Sequence, residues 1–290
     1  MSNRFDRQER FFGKTGQAKL ASCRVAIVGV GGLGSVLVQQ LALLGVGHIS
    51  LIDSEELADT DRNRFVGARY DDPVPGSVKV QLAARLIASI DPSIRVETSH
   101  DSLLSHRAFD AVIRSHVAFG CLDSEGARLV LTELCAAYDR PYIDLASDII
   151  PGEPLSYGGR VCVSWDGTGC LVCRGQLDVA EAQVELAGEG ERKARDILYG
   201  VRRTDLGTSG PSVMSINGVV ASLGATEFMV GVTGVRLPRP LLTYRASTGG
   251  VSVSVDPPSS DCYYCHGVRG KRDRADVARY LRGDLSAYVR

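Results

Sequence analysis

A chain of 290 residues, 44% of them hydrophobic, is long enough to bury a substantial core, either as one large α/β domain or as two small ones. Its 33 basic and 34 acidic residues nearly cancel, which argues against nucleic acid or an acidic membrane surface as its partner, because both reward a basic excess. No apolar run approaches the ~20 residues of a membrane span, and the start MSNRFDRQER has no signal-peptide core, so the expected location is cytoplasmic. In that compartment the 8 cysteines read as metal ligands or free thiols rather than disulfides.

Residues 1–22 read as a charged N-terminal arm. The next stretch, RVAIVGVGGLGSVLVQQLALLGVG, has the pattern of a nucleotide-binding βαβ opening. An apolar strand over 24–28 delivers the backbone into a tight turn at Gly29. Gly31, Gly32 and Leu33 bring that turn close to a phosphate, and Gly34 lets the helix over 32–44 lie against the sheet. The helix N-terminus offers free N–H groups and partial positive charge to an anion. Asp53 closes the following strand, 48–52, where a ribose hydroxyl acceptor is expected.

Further strands are expected near 94–98, 117–122 and 141–145, with helices near 77–90 and 124–138. Ligand groups belong at the carboxyl ends of such strands, and Asp53 and Asp123 both sit there. Asp123 also stands where a helix N-cap would. The second half has strand-like pieces near 158–165, 241–247 and 250–255, a polar helix-like run over 177–199 and an apolar helix near 212–231. The charged, glycine-rich stretch 176–210 reads as a mobile excursion. In the apolar helix, Gly218, Ser222 and Ala225 offer a small-residue face for core packing or for a homodimer. The fold expected is α/β: a Rossmann-like, mostly parallel sheet with helices on both faces, plus a C-terminal mixed β region tied by a structural four-cysteine zinc site. The segments divide as the arm 1–22, a nucleotide-binding half 23–160, an acceptor-binding half 161–267 of the same domain, and a charged tail 268–290 to which no function is assigned.

The zinc expectation comes from two C-x-x-C knuckles, Cys170-Leu-Val-Cys173 and Cys262-Tyr-Tyr-Cys265. Each aims two thiolates at one tetrahedral ion, and four thiolates leave no open position for chemistry. Cys23, Cys121, Cys135 and Cys162 sit in apolar contexts and read as small core residues. His266 beside Cys265 reads as a bystander.

Taken together, RFDRQ at 4–8, VGVGGLGS at 28–35, LID followed by DRNRF at 51–65, GSVKV at 76–80, CLDS at 121–124 and the two cysteine pairs resemble the ubiquitin-like-protein-activating superfamily, in its bacterial HesA/MoeB/ThiF branch. The resemblance runs from Arg4 to Cys265. It implies an enzyme that binds ATP with magnesium and adenylates the C-terminal carboxylate of a ubiquitin-like or sulfur-carrier protein with a Gly-Gly tail, releasing pyrophosphate. It implies that Asp53 holds the ribose, Arg64 and Lys79 grip the phosphates, Asn63 adds a secondary contact and Asp123 positions the magnesium. Arg7 matches an arginine that reaches into the partner's nucleotide site in a homodimer. A separate conjugating enzyme is a further implied partner. The residue types suit the chemistry. A carboxylate nucleophile is already ionised at neutral pH, so catalysis needs fixed positive charge rather than a general base.

Two positions depart from the family pattern. Asp61 stands where the family commonly has asparagine, and its charge either weakens ATP binding or is neutralised by Arg62 or the metal. The excursion 176–210 contains no cysteine, so a thioester or persulfide step has no obvious acceptor there. The same βαβ opening also serves NAD-dependent oxidoreductases, and the family includes non-catalytic partner subunits; both remain alternatives at this level.

Overall fold

Strands β1 (Arg24–Val28), β2 (His48–Ile52), β3 (Arg95–Ser99), β4 (Val117–Gly120) and β5 (Tyr142–Ile150) pair in parallel, whereas β6 (Ser156–Ser164), β7 (Leu241–Arg245) and β8 (Gly250–Val253) add on antiparallel. All eight form one sheet in the order β3-β2-β1-β4-β5-β6-β7-β8. The computed structural model describes residues 4–150, 152–187, 210–254 and 256–282. The central strands carry near-continuous apolar runs because both faces are covered: every residue of β4 is buried, and so are the last four of β1. The order reverses between β1 and β4, which opens a crevice at their carboxyl ends.

One face is covered by α1 (Asp6–Ser22), α2 (Gly32–Leu44), α3 (Lys79–Ile90) and α7 (Met214–Thr233), with Leu20, Leu37, Val80 and Val220 in a shared core. The other carries α4 (His106–Arg114), α5 (Glu125–Ala137) and α6 (Val179–Leu186), with Phe109, Leu129 and Ala182 in a second core. Residues 6–22 are therefore a helix with a buried Leu20, bent at Gly13 where φ is 76°, rather than only a solvated arm. α4 was not foreseen; its short apolar stripe is started by Ser105, whose Oγ accepts the Ala108 N–H at 3.2 Å. Of the expected helical run 177–199, α6 covers Val179–Leu186, and residues 188–209 lie outside the described residues.

α7 overturns the expectation that no apolar run reaches membrane length. It has 20 residues and a window of mean hydropathy 1.3, long and apolar enough by those measures to span a bilayer. Its polar members are mostly short side chains, and Glu227 is 1% exposed, held by Arg236 at 2.6 and 2.7 Å and by the Arg239 N–H at 2.7 Å. In the structure α7 packs on α1, α2, β5 and β6. Close approach comes from Gly224, where a Cβ would meet the Leu145 side chain at 2.8 Å; Gly218 faces open space. Ala225 is buried, and the exposed Ser222 accepts a 2.9 Å hydrogen bond from Gln40 of α2.

The tail beyond Cys265 acts as a clamp on α5. Two short turns, Arg272–Ala275 and Val277–Tyr280, bring Arg279 to both carboxylate oxygens of the fully buried Glu133 at 2.6 and 2.7 Å. The Tyr280 hydroxyl donates to the same carboxylate at 2.7 Å. Truncating Arg279 to alanine removes a two-pronged ion pair from the buried Glu133, so a loss of about 3–5 kcal/mol is expected in urea unfolding. A loss below about 1 kcal/mol would show that the clamp contributes little.

Candidate functional site

The glycine turn between β1 and α2 is shaped by sterics that admit no side chain. Gly29 has a φ of 88°, and a Cβ there would lie 2.4 Å from the Cys121 carbonyl oxygen; a Cβ on Gly34 would lie 2.1 Å from the Gly29 carbonyl oxygen. The turn thus presses α2 onto the sheet while Gly31 faces open space. α2 begins without a side-chain cap and without an acidic residue in its first turn. Its N-terminus therefore opens into a cleft of about 1280 Å³ at the carboxyl ends of the parallel strands, lined by Gly29, Gly31, Gly32 and Leu33.

Asp53, just past β2, lines the same cleft. Its carboxylate accepts the Val30 N–H at 2.6 Å and the Glu55 N–H at 2.8 Å, which pins the glycine turn. Burial pushes its carboxyl above the ordinary range, against those two hydrogen bonds and the charge of Lys79. Each oxygen accepts one of these bonds and keeps lone-pair capacity for a ligand hydroxyl.

Arg64 and Lys79 converge on one side of the cleft. The Arg64 stem lies against Gly32, and its guanidinium donates to the Thr60 carbonyl and, at 2.7 Å, to Asp61. Lys79, 5% exposed, meets Glu55 at 2.5 Å and Asp61 at 3.2 Å. Burial favours the neutral amine, but Glu55, Asp61 and Asp53 more than reverse this and raise its pKa. The charge of Asp61 is therefore met by Arg64 and Lys79, and not by Arg62, which turns away to Asp59 and to the carbonyls of Arg69, Tyr70 and Asp72. Asn63 is exposed and does not line the cleft.

Asp123 lies exposed in the cleft at the foot of α5, with no hydrogen bond or ion pair among the described residues. The cap expected of it belongs instead to Ser124, whose Oγ accepts the Ala127 N–H at 3.2 Å. Glu185 of α6 reaches the same helix end, accepting from Ser124 Oγ at 2.6 Å and from the Gly126 N–H at 2.7 Å. A carboxylate at a helix N-terminus is favoured by the dipole, so α6 is latched to the turn that carries Asp123.

Several cleft residues were not singled out from the sequence. Arg128, Arg160 and Asn217 line it, and beneath them Asp144 is fully buried between Arg160, the Tyr142 hydroxyl at 2.6 Å and Arg128 Nε at 3.6 Å. Nothing local marks Asp144, which sits inside a strand. Only the pairing of β5 with β6, which sets Asp144 opposite Cys162, brings Arg160 within reach. Asn217 is 1% exposed and joins Ser147 at 2.7 Å to Ser212 at 3.1 Å. Arg7, on α1, is exposed and does not line the cleft of its own chain.

Away from the cleft, the four knuckle sulfurs of Cys170, Cys173, Cys262 and Cys265 all lie within 4.8 Å of one another. Cys170 and Cys262 Sγ are 3.6 Å apart, and Cys173 and Cys265 Sγ 3.9 Å. A tetrahedron with metal–sulfur bonds of about 2.3 Å has edges of about 3.8 Å, so the cluster is able to hold one metal ion with no coordination position left over. His266 is not part of it. Burial pushes the Cys23 and Cys162 thiols up to about 12 and raises those of Cys121 and Cys135 further; Cys23, Cys135 and Cys162 are the core residues expected, whereas Cys121 is half-buried and lines the cleft.

Residues 5–264 match the model of the ThiF family. The chain belongs to the ThiF family. Among curated relatives, it is 26% identical over 260 residues to an adenylyltransferase and sulfurtransferase MOCS3 of Drosophila willistoni, covering 88% of this chain and 50% of that one. It is 34% identical over 149 residues to Protein HesA of Nostoc sp., covering 49% of this chain and 58% of that one. This ThiF-family chain thus spans about half the length of the curated relatives it matches. Its fold is also that of MccB from E. coli, solved with ATP, at a TM-score of 0.70 and 20% identity over 91% of this chain and 75% of that one. Family membership leaves the oxidoreductase alternative without support.

Proposed function

We propose that this ThiF-family protein is an ATP-dependent adenylyltransferase that activates the C-terminal carboxylate of a small ubiquitin-like or sulfur-carrier protein ending in Gly-Gly. The observation that carries the reading is the convergence, in one cleft, of an open helix N-terminus, two cations and a carboxylate with no partner among the described residues. In this reading the triphosphate lies over the Gly29–Gly34 turn with its ribose on Asp53. Arg64 offers a fork to phosphate oxygens and Lys79 a point charge. Asp123 is a hard oxygen ligand suited to magnesium, which supplies charge neutralisation at the phosphates. The acceptor carboxylate attacks the α-phosphorus, the bond to the pyrophosphate oxygen breaks, and pyrophosphate leaves with its electron pair. Backbone N–H groups and the two cations stabilise the added negative charge.

Zinc is the metal that a closed four-thiolate cluster best suits, and its role here is structural. The excursion 176–210 holds no cysteine, so the product is the acyl-adenylate, and transfer falls to a separate acceptor such as a conjugating enzyme. The test is exchange of labelled pyrophosphate into ATP, run with Gly-Gly-terminated ubiquitin-like and sulfur-carrier proteins as acceptors. Exchange that depends on such an acceptor supports the reading; exchange with none of them overturns it.

Arg7 is proposed to complete the partner's cleft across a two-fold homodimer. Arg7→Ala and Asp123→Ala homodimers should each be nearly inactive, for complementary reasons. Unfolding and re-annealing an equal mixture makes about half of all dimers hybrids, each with one wholly wild-type site, so exchange activity should partly return. An Arg7→Ala protein active on its own would remove the trans role.

A further inference from the structure

We propose that Asp61 makes nucleotide binding in this cleft depend on the divalent metal, by cancelling the charge of the two cations that face the phosphates. The proposal rests on the adenylylation reading and deepens it. Asp61 is 6% exposed, and three contacts fix its carboxylate: Arg64 at 2.7 Å, Lys79 at 3.2 Å and the Ala58 N–H at 3.0 Å. Glu55 takes a further bond from Lys79 at 2.5 Å. Two cations therefore stand against these two carboxylates, with Asp53 also acting on Lys79, and the cluster offers an incoming triphosphate no net positive charge.

Asparagine at this position would keep an oxygen acceptor for the Ala58 N–H and remove one of the negative charges set against the two cations. With aspartate, the attraction of Arg64 and Lys79 is offset at a distance short enough, and in surroundings dry enough, that salt does little to screen it. The repulsion is largest for metal-free ATP, which carries more negative charge than its magnesium complex. The same carboxylate holds both cations in place, so the arrangement gives up affinity for the bare triphosphate and keeps the cations oriented.

The test is calorimetric titration of the full chain with ATP in EDTA and with ATP in excess magnesium, for wild type, Asp61→Asn and Glu55→Gln. Wild type should bind the magnesium complex at least about tenfold more tightly than metal-free ATP. Asp61→Asn should gain about tenfold for metal-free ATP and much less for the complex, so that the ratio collapses. Glu55→Gln should shift the ratio the same way but less, because that carboxylate is 65% exposed. A merely structural role for Asp61 would change both affinities together. An unchanged ratio in Asp61→Asn, or equal gains for both forms, overturns the proposal. Should Asp61→Asn prove unfolded by thermal melting, an unchanged ratio in Glu55→Gln does the same. Wild type that binds neither form refutes the adenylylation reading itself, a different result from wild type and variants binding alike.

Discussion

Asp123→Ala is expected to reduce acceptor-dependent pyrophosphate exchange by about 100-fold or more while leaving stability within about 0.5 kcal/mol of wild type. The two halves of that expectation have one cause. Asp123 makes no hydrogen bond or ion pair among the described residues, so its removal breaks nothing that holds the fold. Arg64→Ala and Lys79→Ala should lose exchange to a similar degree but also lose stability, since each takes a partner from the buried Asp61. Running exchange and urea unfolding on the same three proteins separates the roles. Wild-type exchange in Asp123→Ala would remove it from the chemistry.

Disruption of the four-cysteine cluster should be felt as strongly, but in folding. The protein purified without chelator is expected to carry about one zinc per chain by elemental analysis. Cys170→Ser or Cys262→Ser should lower the thermal midpoint by about 10 °C or more, because only folding brings the four thiolates together, so that metal binding stabilises the folded chain. The cluster joins the turn after β6 to the segment that leads into the Arg279 clamp on α5, so both anchors of the C-terminal region stand on it. Gly175, Gln176, Leu177 and Asp178, just past Cys173, line the cleft, so ATP affinity in the surviving folded protein should fall through them, but by less than stability. Zinc-free protein of unchanged stability would defeat the cluster's structural role.

Pattern and spacing made much of this molecule legible in advance. The apolar run 24–28, the glycines at 29 and 34 and Asp53 specify their own local geometry, because tight turns and close backbone approach exclude side chains wherever they occur. The two C-x-x-C pairs likewise announce a cage, since each pair fixes two sulfurs by itself and only the meeting of the pairs is long-range. The weaker signals failed for identifiable reasons. The charge run RFDRQER hid a helix whose buried residues, Gly16, Gln17 and Leu20, all lie further along the chain. In the apolar helix, the small residue that sets the close approach proved to be Gly224 rather than Gly218, a choice made by where Leu145 stands on the neighbouring strand.

What the sequence determined by itself, then, was local: a βαβ nucleotide turn, two thiolate knuckles and a set of charged residues in family order. Which charges meet was decided only by the tertiary structure. Asp61 is a departure in the sequence, but its pairing with both Arg64 and Lys79 depends on the Asp59–Asp61 turn folding back over the start of α3. Arg160 and Asn217 come from β6 and α7, and they line one cleft above the buried Asp144 of β5 because the sheet reverses direction after β5 and α7 returns across it. Electrostatic interaction depends on distance and burial, and neither is carried by residue spacing once the partners lie on different strands.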